Sequence, residues 1–147
     1  MTNETTKKIV IRCRAVIVHN NKLLVVKHAP SSSFYSLPGG HLEYAENIHD
    51  AMKREIIEEL GIEPQIGRLL YVNNFIEEEI KQSIEFFFEI TNPEAFLDTE
   101  NLSGTHRFEL SEICWVDKND NPNILPKSIQ GDLKNDSILS DFVRFLN

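Results

Sequence analysis

The chain has 147 residues, of which 41% are hydrophobic and 26% charged, enough for one ordinary domain with its own core and too apolar for a disordered segment. Its 23 acidic and 15 basic residues leave a formal net charge of −8, so a domain-wide basic footprint for duplex nucleic acid is absent. The charge is uneven: residues 1–39 hold one acid, Glu4, against Lys7, Lys8, Arg12, Arg14, Lys22 and Lys27. No apolar run approaches the length of a membrane span, and the N-terminus MTNETTKKIVIRC lacks the apolar stretch of a secretory signal, so a cytoplasmic location is expected. Cys13 and Cys114 form no CxxC pair, which excludes a four-cysteine metal site and a disulfide framework. Two buried thiols are expected, with one disulfide left open.

Residues 7–18 are rich in β-branched side chains and predict a strand. A polar turn at His19-Asn20-Asn21-Lys22 and a short apolar run at 23–26 complete a predicted hairpin. Residues 29–33 read as loop, and Pro38-Gly39-Gly40 as a tight turn. A helix is predicted from about Asn47 to Leu60, because Ile48, Ala51, Met52 and Ile56 recur at helical spacing and Gly61 and Pro64 stop it. Residues 69–75 predict a strand, 77–82 a polar connection, and 84–90 a second strand. In that strand Ile84, Phe86, Phe88 and Ile90 face one way and Glu85, Phe87 and Glu89 the other. Residues 92–104 read as loop, 112–116 as a strand carrying a core Trp115, and 118–122 as a polar turn. The tail 137–146 places Ile138, Phe142, Phe145 and Leu146 at helical intervals behind a capping Asp136, and predicts a helix. Mixed strands and helices give an α/β or α+β class, with helices covering a mixed sheet in a single domain over residues 1–147.

The first helix breaks local rules. Glu55, Glu58 and Glu59 lie at i, i+3 and i+4, crowding three carboxylates on one side of its last turns, where the helix dipole favours cations. Taken alone this is a solvated acidic face, partly offset by Arg54. Its context is a glycine-rich turn just before the helix, where backbone can approach a ligand closely. Clustered oxygen donors beside such a turn suit Mg²⁺, which takes one or two carboxylates plus waters and phosphate oxygens.

These residues carry a resemblance. Gly40-His-Leu-Glu-Tyr-Ala-Glu46, seven further residues, and then Arg54-Glu55-Ile56-Ile57-Glu58-Glu59-Leu60-Gly61-Ile62 resembles the Nudix box, G-x5-E-x7-R-E-U-x-E-E-x-G-U, at every fixed position. Seven fixed letters match by chance about 10⁻⁹ of the time per start point at ordinary residue usage. The resemblance implies a Nudix fold, an α/β/α sandwich with a central mixed sheet. It also implies hydrolysis, with Mg²⁺ or Mn²⁺, of a phosphoanhydride in a nucleoside diphosphate-linked or nucleoside triphosphate substrate. By position it implies Glu55, Glu58, Glu59 and the Gly40 carbonyl as metal ligands, and Arg54 with Glu46 as the pair that orients helix and loop.

The expected chemistry is attack of water on phosphorus, aided by a general base. The family takes that base from the box or from a downstream strand or loop, so the candidates are Glu58, Glu85 and the acidic run 77–79. Glu85 aims either into the site or into solvent. Arg12, Arg14 and Lys27 are candidate phosphate binders, each equally well read as a surface base, and Phe34 and Tyr35 are candidates to stack on a nucleobase. Substrate markers of the family are missing: no proline lies between Pro64 and Pro93, Tyr71 is too close to the box, and no SQPWPxS-like run occurs. By elimination the chain resembles the small MutT-like nucleoside triphosphate pyrophosphohydrolases. The rival expectation is a Nudix-fold module that binds a nucleotide without cleaving it. A homodimer is left open. Residues 40–62 and 77–89 each carry a net of −4 and the rest sums to zero, so the excess acidity is a local demand for metal.

Overall fold

The computed structural model describes residues 6–78 and 81–147. In chain order the elements are β1 (Lys8–Val16), β2 (Val18–His19), β3 (Lys22–Lys27), β4 (Gly39–His41), α1 (Ile48–Leu60), β5 (Ile66–Glu78), β6 (Lys81–Ile90), β7 (Glu112–Val116), α2 (Lys127–Lys134) and β8 (Arg144–Leu146). Five strands form a mixed sheet in the order β4-β1-β6-β5-β8, and three form a second sheet, β2-β3-β7. The pairs β1–β6 and β5–β8 are parallel and the other pairs antiparallel. The expected hairpin arm over 7–18 is therefore two strands in two sheets, parted at Ile17. The turn itself forms as read: Asn20 and Asn21 both take positive φ, which suits a two-residue hairpin loop.

The strands are apolar on both faces because each face carries a core. Cys13, Ala15, Ile17, Leu24, Val26, Phe88 and Ile90 pack with Ala51, Met52, Ile56 and Leu60 of α1. Their neighbours one position along, Val16, Leu23, Val25 and Phe87, pack with Ile129 and Leu133 of α2. Period-two alternation thus feeds two helices on opposite faces, giving the expected layered α/β/α arrangement. Trp115 packs against the α1 core and its indole N–H donates to the Phe96 carbonyl at 3.1 Å. Both cysteines are free thiols, Cys13 buried and Cys114 half-buried. Among the described residues no helix is long and apolar enough to cross a membrane.

Helix α1 starts and stops as its sequence dictates. The Asn47 side chain accepts from the His49 N–H at 2.8 Å, and Gly61, at φ 77°, donates its N–H to the Ile57 carbonyl. The predicted C-terminal helix is overturned. Asp136 is left-handed at φ 53°, which an N-cap does not adopt, and 144–146 pair with Tyr71, Val72 and Asn73 as a strand. The helix on that side of the sheet is instead α2, to which the sequence reading assigns nothing. Its eight residues include Gly131 and bury only Ile129 and Leu133, too short a periodic signal to read.

Long-range contacts decide the tail. Arg144 Nη1 and the Tyr71 hydroxyl both donate to Asp132 Oδ2 at 2.6 Å, and the guanidinium lies 3.9 Å over the Tyr71 ring. Tyr71 is fully buried, so Tyr71→Phe is expected to cost about 1–2 kcal/mol, read as a lower urea midpoint at unchanged slope.

Candidate active site

Strand β4 lies on the edge of β1 with Arg12 opposite His41, Cys13 opposite Gly40 and Arg14 opposite Gly39. This pairing sets the start of the box against the strand that carries the two arginines. Helix α1 packs against β4, and Gly40 meets the Glu55 carboxylate so closely that a Cβ there would lie 2.4 Å from Glu55 Cδ. The neighbour is the far end of a side chain, so it can move, but only by giving up its position. Gly40→Ala is expected to leave the melting temperature nearly unchanged and to lower any box-dependent activity by about 10²-fold, measured as kcat alongside a thermal melt.

Arg54 ties the cluster together. Its Nε and Nη2 fork onto Glu46 at 2.8 and 3.0 Å, Nη1 reaches Glu55 at 2.9 Å and Glu58 at 3.4 Å, and Nη2 also donates to the His41 carbonyl at 2.9 Å. The Glu46 carboxyl is held below its usual range by these bonds, and the guanidinium is pushed up by the same carboxylates. One cation thus joins the loop to the helix. Glu58 has a second partner, His106, whose Nδ1 lies 3.2 Å from its Oε2 and whose backbone N–H donates to the Glu58 carbonyl at 2.6 Å.

Glu59 is the anomaly. It sits on the buried face of α1, only 3% exposed, and its carboxylate accepts from the Gly39 N–H at 3.3 Å. Burial raises its pKa to about 8, against an opposing pull from Arg14, while Glu55 and Glu109 push the same way as burial. Glu55 is raised too, by burial above all and despite Arg54. Among the described residues no three His, Cys, Asp or Glu side chains form a ready-made metal cage. A hard divalent cation does not require one, since Mg²⁺ completes its shell with water and phosphate oxygens. The donors present, Glu55, Glu58, a buried undercompensated Glu59 and the Gly40 carbonyl, are all oxygens beside a close-approach glycine, and they fit such an ion. The Gly40 carbonyl has a weak contact with the Cys13 thiol at 3.7 Å.

These groups line one end of a cleft of about 1220 Å³. Its floor is the β1-β6-β5 face that carries Arg12, Arg14, Asn73, Phe75, Glu85 and Phe87. Arg12 Nη1 lies 3.5 Å from Ser83 Oγ. Arg14 donates from Nε to Glu85 Oε2 at 3.0 Å and from Nη1 to the Leu37 carbonyl at 3.2 Å. Glu85 therefore aims into the cleft, not into solvent, but both its oxygens are engaged, the second by Asn73 Nδ2 at 3.0 Å. Phe34 lines the cleft.

Two sequence candidates stand elsewhere. Lys27 lies 3.8 Å from Glu112 and 4.5 Å over the Tyr35 ring, and the Tyr35 hydroxyl donates to Glu112 at 3.2 Å. Neither residue lines the cleft. Of the acidic run, Glu79 lies outside the described residues, as do the side chains of Glu77 and Glu78. The sequence reading missed His28, Asn73, Phe75, His106 and Glu109, all of which line the cleft. Only strand alternation opposite Glu85 could have pointed to Asn73 and Phe75, because the other three come from loops or strand ends whose position depends on packing.

The sequence profile of the NUDIX domain matches residues 11–136. An ADP-ribose pyrophosphatase of Methanocaldococcus jannaschii is 39% identical over 59 residues, covering 39% of this chain and about a third, 35%, of that relative. Among solved structures, a MutT NUDIX hydrolase from Burkholderia pseudomallei superposes with a TM-score of 0.67 at 23% identity, covering 87% of this chain and 98% of the other. An ADP-ribose pyrophosphatase from Streptococcus suis gives 0.62 at 18% identity, covering 92% and 98%. At these identities the likeness is one of fold.

Proposed function

Because the chain belongs to the NUDIX family, we propose that it is a divalent-cation-dependent pyrophosphohydrolase, cleaving a phosphoanhydride bond of a nucleotide or nucleotide derivative, with residues 1–147 acting as one Nudix domain. The observation that carries this is the complete box on one turn and helix, its carboxylates opening on a cleft whose floor supplies two arginines. Glu55, Glu58, Glu59 and the Gly40 carbonyl would hold Mg²⁺ or Mn²⁺. When bound, the cation neutralises diphosphate charge and lowers the pKa of bound water.

The chain's own residues account for the rest. Arg14, with Arg12 beside it, receives the phosphates from the floor. Glu46 and Arg54 keep the loop and the helix in register. Glu58, held by Arg54 and His106, takes the proton of the attacking water as the new P–O bond forms and the bridging P–O bond breaks, the leaving phosphate departing with the bond electrons. Phe34 and Phe75 at the cleft offer faces for a base.

The test is a phosphate-release screen with Mg²⁺ or Mn²⁺ across nucleoside triphosphates, nucleotide sugars, ADP-ribose, dinucleotides and capped RNA. Turnover that stops with EDTA is the expected outcome, with nucleoside triphosphates the favoured class because the chain lacks the family's other substrate markers. ADP-ribose is the second reading, supported by the partial match to the archaeal pyrophosphatase. Nucleotide binding without release from any compound would favour a binding module and overturn the hydrolase reading.

A further inference from the structure

We propose that Glu85 and Asn73 are positioning residues that hold the Arg14 guanidinium on the cleft floor as an anchor for substrate phosphate, and that Glu85 is not a general base. The proposal rests on the reading of this cleft as a phosphate-binding site.

Three adjacent strands build the device. Glu85 on β6 is directly opposite Asn73 on β5 and, in the parallel pairing, opposite Arg12 of β1, which puts Arg14 on the next position of the same face. Glu85 is 7% exposed and Asn73 6%. Each Glu85 oxygen has its own donor, Arg14 Nε on one side and Asn73 Nδ2 on the other, both at 3.0 Å. Asn73 turns its amide N–H to Glu85, so it fixes the carboxylate's plane without adding a charge, and its amide can turn over to accept from a glutamine there. Arg14 Nη1 is fastened to the Leu37 carbonyl, which stops the guanidinium from rotating about the Glu85 contact.

Both Glu85 oxygens are already turned onto donors, Arg14 and Asn73, so aiming either at an attacking water would give up one of the bonds that hold the anchor.

The experiment measures the affinity of the full chain for magnesium pyrophosphate by calorimetry, and KM and kcat on the best nucleotide found in the screen, for Arg14→Ala, Glu85→Ala, Glu85→Gln, Asn73→Ala and the Arg14→Ala/Glu85→Ala double variant. Loss of a charge-assisted hydrogen bond predicts about tenfold weaker pyrophosphate binding in Glu85→Ala, with KM rising in step and kcat within about threefold. Glu85→Gln keeps an oxygen that accepts from Arg14 Nε, so it is expected within about threefold of wild type in both measures. The double variant is expected to bind no worse than Arg14→Ala, because the two residues act as one unit. Where Glu85→Ala does not fold, Asn73→Ala carries the test, with about threefold weaker binding expected at an intact ion pair.

Four results would overturn the proposal: unchanged binding in Glu85→Ala or Asn73→Ala; equal loss of kcat in Glu85→Ala and Glu85→Gln at unchanged affinity, the mark of a base; multiplied losses in the double variant; and no pyrophosphate binding by wild type. If wild type binds pyrophosphate with the expected pattern yet hydrolyses no nucleotide, the hydrolase reading falls and the positioning device stands.

Discussion

Glu59→Gln is expected to lower turnover by about 10³-fold or more and, in the metal-free protein above pH 8, to make the fold more stable. Both effects have one cause. The carboxylate is 3% exposed, and burial, outweighing the pull of Arg14, raises its pKa from an ordinary 4.5 to about 8. A raised carboxylate pKa means that folding disfavours the charged form. Below pH 4.5 both states are protonated and Glu59 carries no penalty. Between pH 4.5 and 8 the unfolded chain loses its proton first, and stability falls as pH rises. Above pH 8 the full penalty is felt, on the order of 5 kcal/mol. Glutamine removes the titration, so thermal melts in EDTA should show variant and wild type alike near pH 4 and the variant more stable at pH 9. Excess Mg²⁺ should close the gap from the wild-type side, because a ligand that binds only the folded state stabilises it. A variant that is inactive yet no more stable at pH 9 would contradict this account of Glu59. Glu58→Gln is expected to lose comparable activity without the stability gain, since Glu58 is more exposed and already faces Arg54 and His106.

Arg54→Lys is the second large effect. Lysine keeps the charge but cannot span Glu46, Glu55, Glu58 and the His41 carbonyl with one planar fork. The expected result is a loss of about 10²-fold in kcat, because the loop and helix that carry the oxygen donors drift relative to each other. The melting temperature should fall as well, since Glu55 would keep its burial and lose its best partner. The check is a pair of measurements on one preparation, kcat and thermal melt. Glu46→Gln should follow it in the same direction but less far, because Arg54 would retain its bonds to Glu55 and His41. Normal turnover in Arg54→Lys would remove the fork from the reading of the site.

The sequence by itself determined the local parts. Helical spacing of Ile48, Ala51, Met52 and Ile56, with Asn47 before and Gly61 after, is enough to place α1, because caps and an apolar stripe act within one turn of where they stand. Strand β7 matches its expected bounds for the same reason, as does the Asn20-Asn21 turn. The box is legible because its members are close in sequence and their spacing is that of a loop and a helix. What lies far apart in sequence was decided by tertiary structure alone. The tail has a helical pattern, yet the free edge of β5 and the Asp132–Arg144 contact draw it into a strand, because a short amphipathic segment has little helical stability of its own. Glu85 could be assigned a face from alternation, but not a partner. Arg14 and Asn73 meet it only when β1 and β5 flank β6, and it is that meeting which separates a base from a support. His106 and Glu109 reach the site through a loop clamped to the end of α1 by the bond from the His106 N–H to the Glu58 carbonyl, and no period in the sequence encodes a contact of that kind.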